Sequence, residues 1–251
     1  MKYYLKYLLW VLSLLLIQSC EYIEGLHHEG IVIEKEEQIG AFNKIRIETS
    51  VNLILEQNEE GIVRISGLDF KVENIIITIE NEELVIHAVS VALARKDQMT
   101  TIFLPVKALE KISVNAPSEI SSEGELILDN FMMVINGRGT YTNSNLKLNC
   151  KKVSIAAYGE NLGTHSLTGA TESLHLTMEG LANADASQMI AKEAAINQRS
   201  LKSSYLQVLN KLHVNMYSSG HVYYKGSPSL VYKTRDPGWN VVYGKAINQS
   251  K

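Results

Sequence analysis

One short motif returns six times in the second half of this chain, and that return constrains the fold more than any other feature. Ala116-Pro117-Ser118-Glu119-Ile120, Gly137-Arg138-Gly139-Thr140-Tyr141 and Ala157-Tyr158-Gly159-Glu160-Asn161 are followed by Gly180-Leu181-Ala182-Asn183-Ala184, Arg199-Ser200-Leu201-Lys202-Ser203 and Ser218-Ser219-Gly220-His221-Val222. Their first positions lie 21, 20, 23, 19 and 19 residues apart. A period near 20 residues marks stacked supersecondary units. The third position is small in every copy except the fifth, which carries Leu201, so the fifth corner is expected to be wider or bulged.

The residues before each turn show how a unit is built. Four positions upstream lie Ile112, Met133, Val153, Leu176, Ala195 and Val214; two upstream lie Val114, Ile135, Ile155, Met178, Asn197 and Met216. Between these two columns come Ser113, Val134, Ser154, Thr177, Ile196 and Asn215, which are mostly polar. Side chains alternate across a strand, so the two apolar columns face inward and the middle one faces water. After each turn a second apolar strand recurs, as in Leu126/Leu128, Leu146/Leu148 and Leu206/Val208. Such a unit cannot bury its inner face alone, but stacking at the ~4.8 Å strand spacing closes both backbone pairing and core. The pattern predicts an all-β protein: a single-stranded, right-handed β-helix-like solenoid over residues 109–244, with a β-sandwich of hairpins as the structural alternative.

Residues 30–108 read as the β-strand-rich first half. Ile31–Ile33, Lys44–Glu48, Asn52–Glu56, Ile62–Ser66, Ile75–Ile79, Leu84–His87 and Thr101–Leu104 are strand-like. Asn58-Glu59-Glu60-Gly61 and Glu80-Asn81-Glu82-Glu83 are turn signals between them. Val89–Lys96 is compatible with a helix but short and uncapped. Residues 245–251 form a tail.

The N-terminus has the layout of an export signal: Lys2 and Lys6, an apolar run from Leu8 to Ile17, then Ile17-Gln18-Ser19-Cys20. Ser19-Cys20 resembles the lipobox of bacterial lipoproteins. That resemblance makes residues 1–19 a signal peptide, Cys20 the lipid-attachment residue and 20–29 a polar tether; an ordinary signal peptide with a chance cysteine is the other reading. Glu21 follows the cysteine where an Asp would retain the protein at the inner membrane, so an outer-membrane lipoprotein is expected. Cys150 is the one other cysteine, so the mature monomer has no partner for an intrachain disulfide.

Charge is near balance, 24 basic against 27 acidic residues, which gives no electrostatic case for nucleic-acid binding. Asp69, Asp97, Asp129, Asp185 and Asp236 share no column of the repeat, whereas glycoside cleavage needs two carboxyl groups ~5–10 Å apart. His175 and His213 fall in one column with Ala194 between them. Two rungs put them ~10 Å apart, too far for one zinc ion. No catalytic residue, cofactor or metal site is therefore expected. Tyr141, Tyr158, Tyr205, Tyr217, Tyr223, Tyr224, Tyr232 and Trp239 gather in the repeats and at their end. They are expected to cap corners and the last coil, or else to offer ring faces to sugars.

The recurring small-polar-small-Asx/Glu-apolar turn resembles the repeats of the GIN-type head domain of putative auto-transporter adhesins. Phe42-Asn43-Lys44-Ile45 with Val51-Asn52-Leu53, Ile102-Phe103-Leu104-Pro105 with Leu109-Glu110-Lys111-Ile112, and Val222-Tyr223-Tyr224-Lys225-Gly226-Ser227-Pro228 resemble its opening, central and closing segments. The resemblance runs from about Gly30 to about Gly244. It implies an exported, lipid-anchored, non-catalytic β-helical head in the envelope of a Gram-negative bacterium, held at the membrane by its lipid and presenting a surface to a glycan or an envelope protein. The family offers no catalytic residues. The alternative function on the same scaffold is a carbohydrate-active enzyme, a polysaccharide lyase or hydrolase.

Overall fold

A computed structural model describes residues 30–58, 60–89, 99–136, 141–235, 240 and 242–250. Cys20, the signal and tether segments, most of Val89–Lys96, the 137–140 turn and Trp239 lie outside the described residues. The described chain is a β-solenoid of about 6 turns. Strands β9 (Ser118–Ile135), β10 (Thr142–Ala157), β11 (Leu162–Ser200) and β12 (Ser204–Met216) pair in parallel, each on the next. Each bends around corners, so one extended run covers more than one side of a coil. Beyond β12 lie β13 (Val222–Lys225), β14 (Ser229–Thr234) and β15 (Ala246–Asn248), also parallel.

Inward columns run the length of the stack. Ile112 lies opposite Met133, Met133 opposite Ile155, and Ile155 opposite Leu176. Asn197 Nδ2 donates to Thr177 Oγ1 (3.3 Å), which sets Ile196 beside Leu176; Ile196 is opposite Val214, and Val214 opposite Tyr232. The steps are thus 21, 22, 21, 20, 18 and 18 residues. All of these up to Val214 are buried, and alternation along each strand is what buries them.

Two positions depart from the expected columns. Val153 lies one pair earlier, opposite Phe131 and Leu174, and still points inward because its slip is two residues. In the fifth repeat the slip is one residue, which turns every side chain over. Ile196 is buried and Ala195 faces outward, the reverse of the expectation. Gln198, rather than Asn197, fills the next inward place. Its Nε2 donates to Lys202 O (2.5 Å) and its Oε1 accepts from Ser204 Oγ (3.1 Å), so a buried amide ties this corner together.

The first half joins the same 15-stranded sheet. Strands β2 (Lys44–Ile47) and β3 (Val51–Glu56) pair in parallel with β8 (Lys111–Val114) and β9, directly beneath the repeats. On their other side, again in parallel, lie β6 (Glu83–Ala88) and β7 (Thr100–Pro105), so the coil later in sequence sits further out. Antiparallel strands then finish this end. β5 (Ile75–Glu80) pairs β6, β4 (Ile62–Leu68) pairs β7, and β1 (Val32–Gln38) pairs β4. One helical turn, α1 (Asp69–Val72), was not visible in the hydrophobic pattern. It is a local event, with Asp69 Oδ1 accepting from the Phe70 N–H (2.8 Å).

Candidate binding face

Outward positions of the stacked coils form rows as regular as the core. Asn52 pairs with Thr101 and with Glu119, and Glu119 with Asn143; Thr164, Asn183, Ser203 and His221 continue the row on later coils. These groups bond to one another along the row. Asn52 Nδ2 donates to Thr101 Oγ1 (3.2 Å), and Asn143 Nδ2 donates to Glu119 Oε1 (3.1 Å). Asn143 Oδ1 accepts from the Thr164 N–H (3.0 Å), and Thr164 Oγ1 donates to Asn183 Oδ1 (3.0 Å). Ser203 Oγ accepts from the His221 N–H (3.1 Å). A groove of about 890 Å³ lies over the first part of this row, with Tyr141 and Met99 on its wall.

The neighbouring outward row carries Ser121, Asn145 and Ser166, then Asp185, Tyr205 and Tyr223. Tyr205 and Tyr223 stack with ring centroids 5.2 Å apart and planes 12° apart, and His221 meets Tyr223 edge-on at 5.8 Å. Rung spacing imposes this parallel stack, since neighbouring strands run ~4.8 Å apart. The face thus passes from a hydrogen-bonding ladder to a half-buried pair of stacked rings.

The other tyrosines separate. Tyr224 is buried, and Tyr232 donates to Gly244 O (2.8 Å) in the closing segment. Tyr158 and Tyr217 lie on a corner instead. There Glu179 accepts from the Gly159 N–H (2.8 Å) and from Arg199 (3.3 Å), while the Arg199 guanidinium sits 4.2 Å over the Tyr217 ring.

The titratable groups are scattered. His175 and His213 do share an outward row, with Ala195 rather than Ala194 between them, and line a small pocket of about 160 Å³ with Ser173, Glu193 and Lys211. Burial, and then the Lys152 charge, hold His175 below its ordinary value. Among the described residues no three His, Cys, Asp or Glu side chains gather closely enough for a metal ion. The Cys150 thiol is buried and pushed up to about 11.

One carboxylate pair has no local signature in the sequence because it joins distant segments. Glu56 lies opposite Glu123 across β3 and β9 and shares a hydrogen bond with it. Burial pushes the Glu56 carboxyl up, against the pull of Arg64, whose Nη2 is 2.6 Å away and whose guanidinium lies 4.4 Å over Phe103. Two carboxyl groups within hydrogen-bond reach of each other leave no room for the sugar that glycosidase carboxylates, ~5–10 Å apart, hold between them.

The fold is a β-solenoid whose outer face carries rows of polar side chains in register. The chain belongs to the family described as putative auto-transporter adhesin, head GIN domain, whose model matches residues 41–228. This makes it an adhesin-like head of the cell envelope or surface. The solved structure of a putative adhesin from Bacteroides fragilis is similar, with 23% identity over 87% of this chain and 97% of that one, and a TM-score of 0.72. A putative adhesin from Parabacteroides distasonis has 12% identity, coverages of 88% and 98%, and a TM-score of 0.64. A putative lipid binding protein from the same organism has 12% identity, coverages of 87% and 98%, and a TM-score of 0.60. At these identities the likeness is one of fold. No curated protein matches the sequence. Among the described residues no helix is long and apolar enough to cross a membrane.

Proposed function

We propose that this chain is a non-catalytic outer-membrane lipoprotein, anchored through Cys20, whose solenoid presents the Asn52–His221 ladder and the Tyr205–Tyr223 stack to an extended glycan. The ladder supports this reading most directly. Its donors and acceptors recur at every rung, which suits a polymer of like units better than a compact molecule. The stacked rings add apolar surface with polar tips beside the ladder, which suits an amphipathic ligand.

A glycan array probed with the chain from residue 20 onward, carrying Cys20→Ser, tests the face. Binding should fall at least tenfold in Tyr205→Ala/Tyr223→Ala and stay unchanged in Tyr158→Ala, which lies on the corner. Loss in the corner variant alone would reject the ladder, and binding only to envelope proteins would replace the glycan as partner. The anchor has a separate test. Mass spectrometry should find acyl chains on Cys20, and Cys20→Ala should release the protein from the membrane fraction; one acyl chain holds weakly, several hold firmly.

A further inference from the structure

The corner of the solenoid that carries Tyr158 and Tyr217 also carries a row of exposed apolar side chains. Tyr141 bridges to Leu162 on the next coil. The Leu181 N–H donates to Asn161 O (2.9 Å), and the Leu201 N–H to Gly180 O (3.0 Å), so Leu162, Leu181 and Leu201 follow one another up the stack. Tyr141, Leu162, Leu181 and Leu201 are 44%, 40%, 40% and 63% exposed. Val242, which is 85% exposed, rims the corner groove together with Leu201. Three rung intervals give the row a length of about 14 Å. Single exposed leucines are ordinary, but a contiguous apolar row on successive coils marks an interaction surface.

We infer that this ridge rests on a lipid surface, laying the solenoid along the membrane that holds its anchor; the inference rests on the Cys20 reading above. The length of the tether argues for that occupant. Residues 21–29, fully extended, reach at most about 32 Å. The sheet passes from β1 through β4, β7, β3 and β9 to β10, five strand spacings or about 24 Å, which brings the level of Tyr141 within the tether's span. Composition argues likewise, since aliphatic side chains flanked by tyrosines with polar tips are the mixture found at membrane interfaces. Glu160 and Lys202 are exposed beside the ridge and oppose each other in sign, and Arg199 is paired with Glu179. Attraction is therefore apolar, and it should respond little to salt or to anionic lipid.

Among the described residues every strand lies within residues 30–250, and a chain that starts at residue 20 retains all of these strands. That chain, with Cys20→Ser, is mixed with vesicles of phosphatidylethanolamine and phosphatidylglycerol and floated on a density gradient. The fraction bound should fall at least tenfold in Leu181→Gln/Leu201→Gln, with the circular dichroism and melting of both proteins alike. In a second arm Leu201→Cys carries an environment-sensitive fluorophore, and Asn149→Cys on another face is the control; only the first should shift to the blue with vesicles. Equal flotation of parent and double variant, or equal shifts at both labels, overturns the proposal. So does a dimer, seen by light scattering, that the double variant abolishes while neither protein floats. Acylated Cys20 with no ridge binding would discard the ridge alone, and ridge binding without acylation would discard the anchor.

Discussion

At the scale of single residues, close rung spacing and burial set the tolerances. Gly163 has φ of 150°, and a Cβ built there would lie 1.9 Å from the Thr142 carbonyl oxygen on the coil below. Gly163→Ala must push two coils apart, and should cost about 3 kcal/mol or more, as a lowered denaturant midpoint with unchanged slope. His165 is the buried titratable group of most consequence. Its Nδ1 is 3.1 Å from Ser144 Oγ, and burial pushes its pKa from 6.5 down to about 4. The imidazole is neutral when folded, whereas the unfolded chain takes up a proton below 6.5. Stability is therefore full above 6.5 and is lost as pH falls from 6.5 toward 4, by on the order of 3 kcal/mol at the lower end. Urea titrations across that window should show a shallower fall in His165→Leu than in the parent; equal slopes would mean that the ring charges freely. Neither residue stands out in sequence. Gly163 is one of 16 glycines and His165 one of 7 histidines, and only the coil beneath singles them out.

At the scale of elements, local chemistry was legible and register was only partly so. Every strand expected between residues 31 and 104 is present, with ends moved by at most two residues except in β1, which runs on to Gln38, because alternation and turn residues are local signals. The hairpin joining β5 and β6 turns through Asn81 and Glu82, at φ of 51° and 61°. Such a turn needs positive φ at both places, and glutamate bears it poorly. Glu82→Gly should raise stability by about 0.5–1 kcal/mol, read as a higher melting temperature, since the Glu82 carboxylate accepts a hydrogen bond of only 3.4 Å from Asn43 Nδ2. The register of the fifth repeat escaped because the turn motif slides. Only the Gln198 bonds and the pairing of Ile196 with Val214 show which residues oppose which.

At the scale of the whole molecule, each coil leans on its two neighbours, so stability should vary along the stack. β12 has partners on both sides, whereas among the described residues β14 pairs with β12 alone, and its Leu230 and Tyr232 are exposed at inward positions. Hydrogen exchange followed by mass spectrometry should find the amides of residues 229–234 exchanging well before those of 211–216; equal protection would contradict this reading of the stack. The repeat by itself determined that the chain is all-β with apolar inner columns and favoured a solenoid over a sandwich of hairpins, because alternation and a 20-residue period are properties of neighbouring residues; the parallel pairing of coil on coil decided between the two. Only the tertiary structure decided that the coil of β6 and β7 lies outside that of β2 and β3, that Tyr205 stacks on Tyr223, and that Leu162, Leu181 and Leu201 share one corner. Those relations depend on the number of residues each coil spends on its corners, and backbone pairing between coils sets that number where no stretch of sequence can record it.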